Sequence, residues 1–402
     1  MKAKRNLHKL RLLLAAFGDP GHAFPTIALA RVLAGRGHEV VVETWEHWRE
    51  AVEGAGLRFA AAQEYRVFPP PPPNARNEPT AADAALALLP LLEELEPDLV
   101  VSDILTLAPS LAAELAGARR ATLIPHLYPV HEPGMPFFAV GSAPPRTPIG
   151  RAAWRAALPI LETGLRRGQR ELNETRARVG LPPLDRFHGG ITERLTLVAT
   201  FPQLEYPRSW PQPVHVTGPL GFELPHPEIE LPPGDDPLIL VAASTTQDPD
   251  GRLVRVALEA LADEPVRIVA SLSHGGDDPL PDAPANAVVV RWASYSQVMP
   301  EASLVVCHGG HGTVTRALAA GAPVLVCPTI GDMVETGARV TWSGTGLSLP
   351  WRLSRRGPLR WAAMRILGDP GFAKRAGELE SWERANNGAT NAAQLVERYA
   401  RS

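Results

Sequence analysis

His308-Gly309-Gly310-His311-Gly312-Thr313 stands between an apolar run, Ser303 to Cys307, and a helical pattern, Val314 to Ala320. A strand feeding a glycine-rich turn and then a helix leaves first-turn N–H groups without partners and aims the positive end of the helix dipole at the turn. Such a junction suits an anion, and a phosphate or diphosphate is the expected ligand. Glycine-rich turns are common, so the downstream residues matter. Ala322 to Pro328 is a second buried-strand pattern, and Thr329-Ile330-Gly331-Asp332 puts a carboxylate beside the anion turn. Ligands of open α/β sheets bind beyond the carboxyl ends of strands, so an anion site and an acid at adjacent strand ends fit a sugar nucleotide.

At 402 residues the chain exceeds one ordinary core, and two domains of about 200 residues are expected. An apolar content of 45% with 21% charged residues is that of a globular protein, and a net charge of -3 without a broad basic footprint argues against nucleic acid as a partner. Cys307 and Cys327 each end an apolar strand pattern and form no Cys-x-x-Cys unit, so they read as small buried hydrophobes in a reduced cytoplasm. Basic residues ahead of Leu12 to Phe17 imitate a signal peptide, but the apolar part is too short and reads as a first strand. No run approaches the roughly 18 apolar residues of a membrane span.

Strand and helix patterns alternate through both halves, which implies βαβ units and parallel, doubly wound sheets. In the first half, Leu12 to Phe17, Glu39 to Glu43, Leu99 to Ser102 and Ala121 to Ile124 read as strands, with helices at Thr26 to Ala34, Ala81 to Glu96 and Ser110 to Ala116. Pro25 is taken as the first turn of its helix. The second half repeats the plan from Leu238 to Leu349. Residues 1–217 are read as one Rossmann-like domain, 218–237 as a proline-rich linker, 238–372 as a second such domain, and 373–402 as a final helix crossing back to the first. Two irregular regions, Tyr65 to Pro79 and His126 to Pro148, contain Tyr128, Met135, Phe137 and Phe138 and suggest an apolar pocket wall. The Arg-rich stretch Arg151 to Arg178 reads as a solvated helix face.

His22 lies between the end of the first strand and the start of its helix, where the dipole disfavours imidazolium and keeps the ring a competent base. Asp103 follows the strand Leu99 to Ser102 in the same sheet and could hold the imidazole tautomer while stabilising its charged form.

With these residues in view, the sequence resembles the inverting, nucleotide-sugar-dependent glycosyltransferases of family 1, which have the two-domain GT-B fold. The likeness rests on Gly21, His22, Pro25 and Arg36 to Val40 in the first half. In the second it rests on Trp292, His308 to Thr313, Ala317-Leu318, Gly321-Ala322-Pro323, Pro328, Asp332 and Ala338-Arg339-Val340. The resemblance implies an acceptor-binding N-terminal domain facing a donor-binding C-terminal one. It implies that His22, assisted by Asp103, deprotonates a hydroxyl of a hydrophobic small molecule such as a phenolic, polyketide or macrolide. Trp292 would stack on the nucleobase, while His308, Gly310, Gly312 and Thr313 would hold the diphosphate. Ser244 and Thr245 would close on the phosphate, and Asp332 with Met333 would face the sugar. Phe24, His126, Tyr128, Met135, Phe137 and Phe138 are acceptor-side candidates. The co-substrate would be a UDP- or dTDP-sugar, with no metal or other cofactor.

Four positions depart from the family pattern. The usual Asp-Gln pair is Asp332-Met333, Asn is replaced by Thr336, Trp-x-Pro-Gln is Trp292-Ala293-Ser294-Tyr295, and the ribose-binding Glu of plant members is Arg316. Met333 suits a deoxygenated sugar, and loss of the acid suits dTDP. Asp248-Pro249-Asp250 reads as a turn before a helix rather than a metal-binding pair. Two other readings fit the same motifs. One is a nucleotide-sugar-binding homologue without transfer activity, acting as a partner or regulator; the other is a GT-B-like sugar-nucleotide epimerase or lipid-linked transferase.

Overall fold

Leu12 and Leu14 enter one apolar core while Leu13 enters another, the period-two alternation of a strand buried on both faces. That strand, β1 (Arg11–Ala15), lies inside the first of two fully parallel sheets in a computed structural model that describes residues 9–65, 79–244, 248, 250–273 and 280–402. The elements that follow it are α1 (Pro20–Gly35), β2 (Glu39–Thr44), α2 (Arg49–Gly54), β3 (Arg58–Ala61), α3 (Ala81–Leu95), β4 (Leu99–Asp103), α4 (Leu107–Leu115), β5 (Arg120–Ile124), α5 (Pro148–Arg178), β6 (Thr196–Val198) and β7 (Val214–Val216). The strand order is β3-β2-β1-β4-β5-β6-β7.

The second unit contains β8 (Leu238–Ala242), α6 (Arg252–Leu261), β9 (Arg267–Ser271), β10 (Ala287–Val290), α7 (Tyr295–Val298), β11 (Ala302–Cys307), α8 (His311–Ala319), β12 (Val324–Val326), α9 (Asp332–Ser343), β13 (Gly346–Ser348), α10 (Arg356–Leu367), α11 (Pro370–Asn386) and α12 (Gly388–Ala400). Its strand order is β10-β9-β8-β11-β12-β13. In each sheet the chain winds outward one way and then returns to the other side of its first strand. The winding therefore reverses between β1 and β4, and again between β8 and β11. The crevice beyond the carboxyl ends of such a strand pair is where a doubly wound sheet accepts ligands.

Several boundaries differ from the sequence reading. Helix α1 begins at Pro20, which takes the first-turn position, so Pro25 lies inside the helix and His22 is already helical. Helix α8 begins at His311, so His311, Gly312 and Thr313 form its first turn rather than the end of a loop. The final stretch is two helices, not one. Asn387 breaks it by accepting a hydrogen bond from the Thr390 N–H at 2.9 Å, which starts α12. The three-residue strands β6 and β7 are too short for periodicity to mark. Most of the Asp248 turn is as read: both carboxylate oxygens cap α6, accepting from Arg252 and Leu253 N–H groups at 2.9 Å. Both cysteines are buried and free. The five prolines Pro69 to Pro73 lie outside the described residues.

The two units share core. Leu127, Phe201 and Leu204 of the first pack into the cluster formed by Leu238, Leu240, Val314 and Val340 of the second. Beside it, Arg339 of α9 is buried between units. Its guanidinium donates to Glu335 at 2.8 Å, to Glu205 at 3.2 Å and to the Leu204 carbonyl at 3.0 Å, and lies 3.4 Å from the Tyr206 ring centre. The second oxygen of Glu205 accepts the Tyr128 N–H at 2.7 Å. Burial pushes the Glu205 carboxyl up from its ordinary value, opposed chiefly by Arg339. Replacing Arg339 by Met leaves these carboxylates buried without their counter-charge, a change that typically costs about 3–5 kcal/mol. Arg339→Met is expected to lower the denaturant midpoint accordingly; an unchanged midpoint would refute this role.

Candidate active site

The reversal at β1 and β4 sets the first half of the site. Ala15 is registered against Ser102, so the chain leaving β1 and the last residue of β4, Asp103, emerge side by side. Asp103 is 2% exposed. Its Oδ1 lies 2.8 Å from His22 Nδ1, and its Oδ2 accepts the Phe17 N–H at 3.3 Å. With Nδ1–H donating to the carboxylate, Nε2 of a neutral ring carries the lone pair available to an acceptor hydroxyl. Helix geometry fixes the imidazole further: the Thr26 hydroxyl donates to the His22 carbonyl at 3.0 Å.

The sequence reading gave the ring a depressed proton affinity, and the site corrects this. Burial does lower the His22 pKa, but the charge and hydrogen bond of Asp103, then the charges of Asp19 and Asp332, lift it above the ordinary value of 6.5. Asp332 belongs to the other unit. Its charge also acts on His126 and His308, so it stands at the cleft between the two sheets.

The second half of the site repeats the first. Ala242 is registered against Cys307, and Ser244 and His308 follow these strand ends, both buried. Gly309 has a φ of 94°, a conformation that favours glycine. A side chain at Gly310 would meet His308 Nε2 at 2.5 Å, so its absence seats that ring. A side chain at Gly312 would meet nothing, and the residue is exposed: the first turn of α8 opens to solvent with Gly312 and Thr313 at its start. Burial lowers the His308 pKa, and burial with the nearby His126 pushes His311 down to about 3. Both rings are neutral near pH 7. Any positive potential at this turn therefore comes from backbone N–H groups and the helix dipole.

Asp332 is the first residue of α9 and is exposed. Beside it, the Met333 thioether accepts the Thr329 hydroxyl at 3.1 Å, and the Met333 backbone lies against Gly309. Trp292 follows β10 and is 41% exposed. Thr245 lies outside the described residues. Among the described residues, no three His, Cys, Asp or Glu side chains converge as a metal site, and no helix is long and apolar enough to cross a membrane.

The acceptor-side candidates separate. The His126 ring lies 6.0 Å from His22 and 5.9 Å from Phe138, so these two stand beside the His22–Asp103 pair. The His126 Nδ1–H donates to the Leu127 carbonyl at 2.8 Å, which leaves Nε2 as an acceptor. Tyr128 is packed with Ile124, Ile191 and Val198 under the Arg208 guanidinium, and with Met135 and Phe138 it lines a cavity that reaches Arg339. Phe24 packs between Trp48 and Phe222, and Phe137 between His131 and Trp154. Met135 is half-buried. The sequence reading missed Phe17 and Trp45, whose rings meet at 4.8 Å, Phe17 lying 6.2 Å from His22. Trp45 follows β2, so the strand-end logic that found His22 could have found it. It also missed Glu223, which pairs with Arg316 at 2.7 Å. A carboxylate is thus present beside position 316, supplied by the linker, and Arg316 alone is no guide to the nucleoside.

Residues 255–398 match the family model of erythromycin biosynthesis protein CIII-like C-terminal domains. The chain is 31% identical to the O-mycaminosyltylonolide 6-deoxyallosyltransferase of Streptomyces fradiae, over 97% of this chain and 98% of that one. Among solved structures, the glycotransferase of kitacinnamycin superposes with a TM-score of 0.77 at 21% identity, covering 98% of this chain and 99% of its own. The glycosyltransferase VinC, solved in complex with dTDP, superposes at 0.69 with 20% identity, covering 98% and 100%. The chain therefore belongs to glycosyltransferase family 1: it is a nucleoside-diphosphate-sugar-dependent glycosyltransferase with the GT-B fold.

Proposed function

We propose that this enzyme inverts the anomeric centre, with His22 as general base and Asp103 as its partner, and that the acceptor is a hydroxyl of a hydrophobic small molecule. The His22–Asp103 pair carries this reading, because it stands on one sheet edge within the field of Asp332 from the other. Nε2 of His22 takes the hydroxyl proton as the oxygen attacks the anomeric carbon. The new C–O bond forms as the bond to the diphosphate breaks on the opposite face, and the nucleoside diphosphate departs with the electron pair. Asp103 stabilises the imidazolium formed. Charge on the leaving group is met by the Gly312 and Thr313 end of α8. His308, neutral in its buried setting, contributes a hydrogen bond there rather than a charge.

In the same reading Asp332 binds sugar hydroxyls, Trp292 stacks on the base, and Ser244 closes on the phosphate. Phe17, Trp45, His126 and Phe138 form the acceptor wall around His22. The nucleoside is uridine or thymidine; the dTDP complex of VinC favours thymidine. Met333 favours a sugar lacking a hydroxyl where relatives with Gln would bind one.

A positioned base contributes about 10²–10⁴-fold. His22→Ala is expected to lose transfer by that factor while dTDP or UDP binding, measured by calorimetry, is retained; full activity would remove His22 from the chemistry. The base must be neutral, so kcat/KM should fall as pH drops through a pKa above 6.5. Asp103→Asn removes the main influence raising that pKa, and should move the acid limb to lower pH along with a reduced kcat. An unmoved limb would assign the titration to another group. Met333→Gln should shift the preference ratio between deoxygenated and fully hydroxylated donor sugars, read by product mass; an unchanged ratio would separate Met333 from sugar selection.

A further inference from the structure

Residues 218–237 contain no helix or strand, yet they are fastened to the C-terminal unit at two points. Upstream, Glu223 accepts from the N–H groups of Tyr295 at 2.6 Å and Ser296 at 3.1 Å, in addition to its pair with Arg316. Downstream, the Gln297 side-chain amide accepts the Ile229 N–H at 3.0 Å and donates to the Ile229 carbonyl at 2.8 Å. Between these fastenings, none of Pro225, His226, Pro227 and Glu228 makes a hydrogen bond or ion pair with the described residues. Their hold is one ring contact. The His226 imidazole lies parallel to the Trp292 indole, within 6°, with ring centres 5.5 Å apart. The flanking prolines fix φ on either side and keep the tip stiff.

One face of the Trp292 indole is thus already covered by a flat ring. Stacked aromatic pairs need about 4.5 Å or more between ring centres, so a third ring cannot enter a 5.5 Å stack without parting it. We propose that His226 is a displaceable occupant of the nucleobase seat. A pyrimidine nucleoside diphosphate takes the Trp292 face and swings residues 225–228 aside, while Glu223 and Gln297 hold the ends of the loop in place. Two fixed ends and one breakable contact are what such a flap requires. This inference rests on Trp292 being the base platform, so the test examines both residues.

Calorimetric titrations of dTDP, UDP and inorganic pyrophosphate would be compared for the unmodified enzyme, His226→Ala and Trp292→Ala, with unfolding midpoints verifying that each variant is folded. Removing the competing ring should tighten nucleotide binding about 2- to 10-fold, the size of one aromatic pair, and leave pyrophosphate binding unchanged. Trp292→Ala should weaken nucleotide binding. Should His226→Ala leave nucleotide affinity unchanged or weaken it while Trp292→Ala still weakens it, the displaceable occupant is wrong and the platform stands. Equal tightening of pyrophosphate would mean general loosening and would also overturn the proposal. Nucleotide affinity unaffected by Trp292→Ala would remove the platform itself, and the proposal with it.

Discussion

An imidazole in the first turn of one helix and a carboxylate at the end of a neighbouring strand can meet only because the chain reverses its winding between β1 and β4. Crossovers on opposite faces leave that strand pair uncovered at its carboxyl end, and the 2.8 Å contact between His22 and Asp103 fills the opening. The second sheet makes the same reversal between β8 and β11 and places an open helix N-terminus there. One topological constraint, used twice, presents the His22–Asp103 pair on one side and an open helix N-terminus on the other. In the second half, Gly309 and Gly331 take positive φ values of 94° and 65°, a conformation that favours glycine.

What turns two half-sites into one is the buried charge cluster around Arg339. The helix it sits on begins with Asp332, and the carboxylate it meets, Glu205, also holds the backbone of Tyr128, two residues beyond His126. Asp332 and the segment around His126 are therefore joined through a few buried polar contacts. Buried ion pairs are costly to assemble and add little net stability, but they penalise alternative arrangements of their partners. Here the penalised arrangement is a different relative placement of the two sheets.

The strand ends were legible from sequence because buried parallel strands are continuous apolar runs, and the residues following them fall at the ligand-binding edge without further information. His22, Asp103, His308 and Asp332 are singled out in this way, and Ser244 by the family resemblance. The side chains of the irregular regions were not, since no period fixes which face they present. Tyr128 is packed in a core and also lines a cavity with Met135 and Phe138, and Trp45, absent from the sequence reading, closes on Gly18. The proton affinity of His22 was misjudged for a related reason. Helix position is a local property, but Asp103 and Asp332, both distant in sequence, join the neighbouring Asp19 in deciding the balance. Likewise, the Glu223–Arg316 pair joins residues 93 positions apart, across the linker, where sequence spacing carries no signal.

The last helix, α12, returns to the beginning of the chain. Ala392, Ala393 and Val396 complete the core under α1, and Glu397 accepts from both Arg36 and His38 at 3.0 and 2.9 Å. During synthesis the N-terminal unit emerges first, as domains generally fold in order of appearance. Yet the face of the helix that carries His22 remains uncovered until α12 has been made. The N-terminal unit thus depends on a helix that follows the second sheet, and loss of α12 would expose apolar surface on the helix that bears His22.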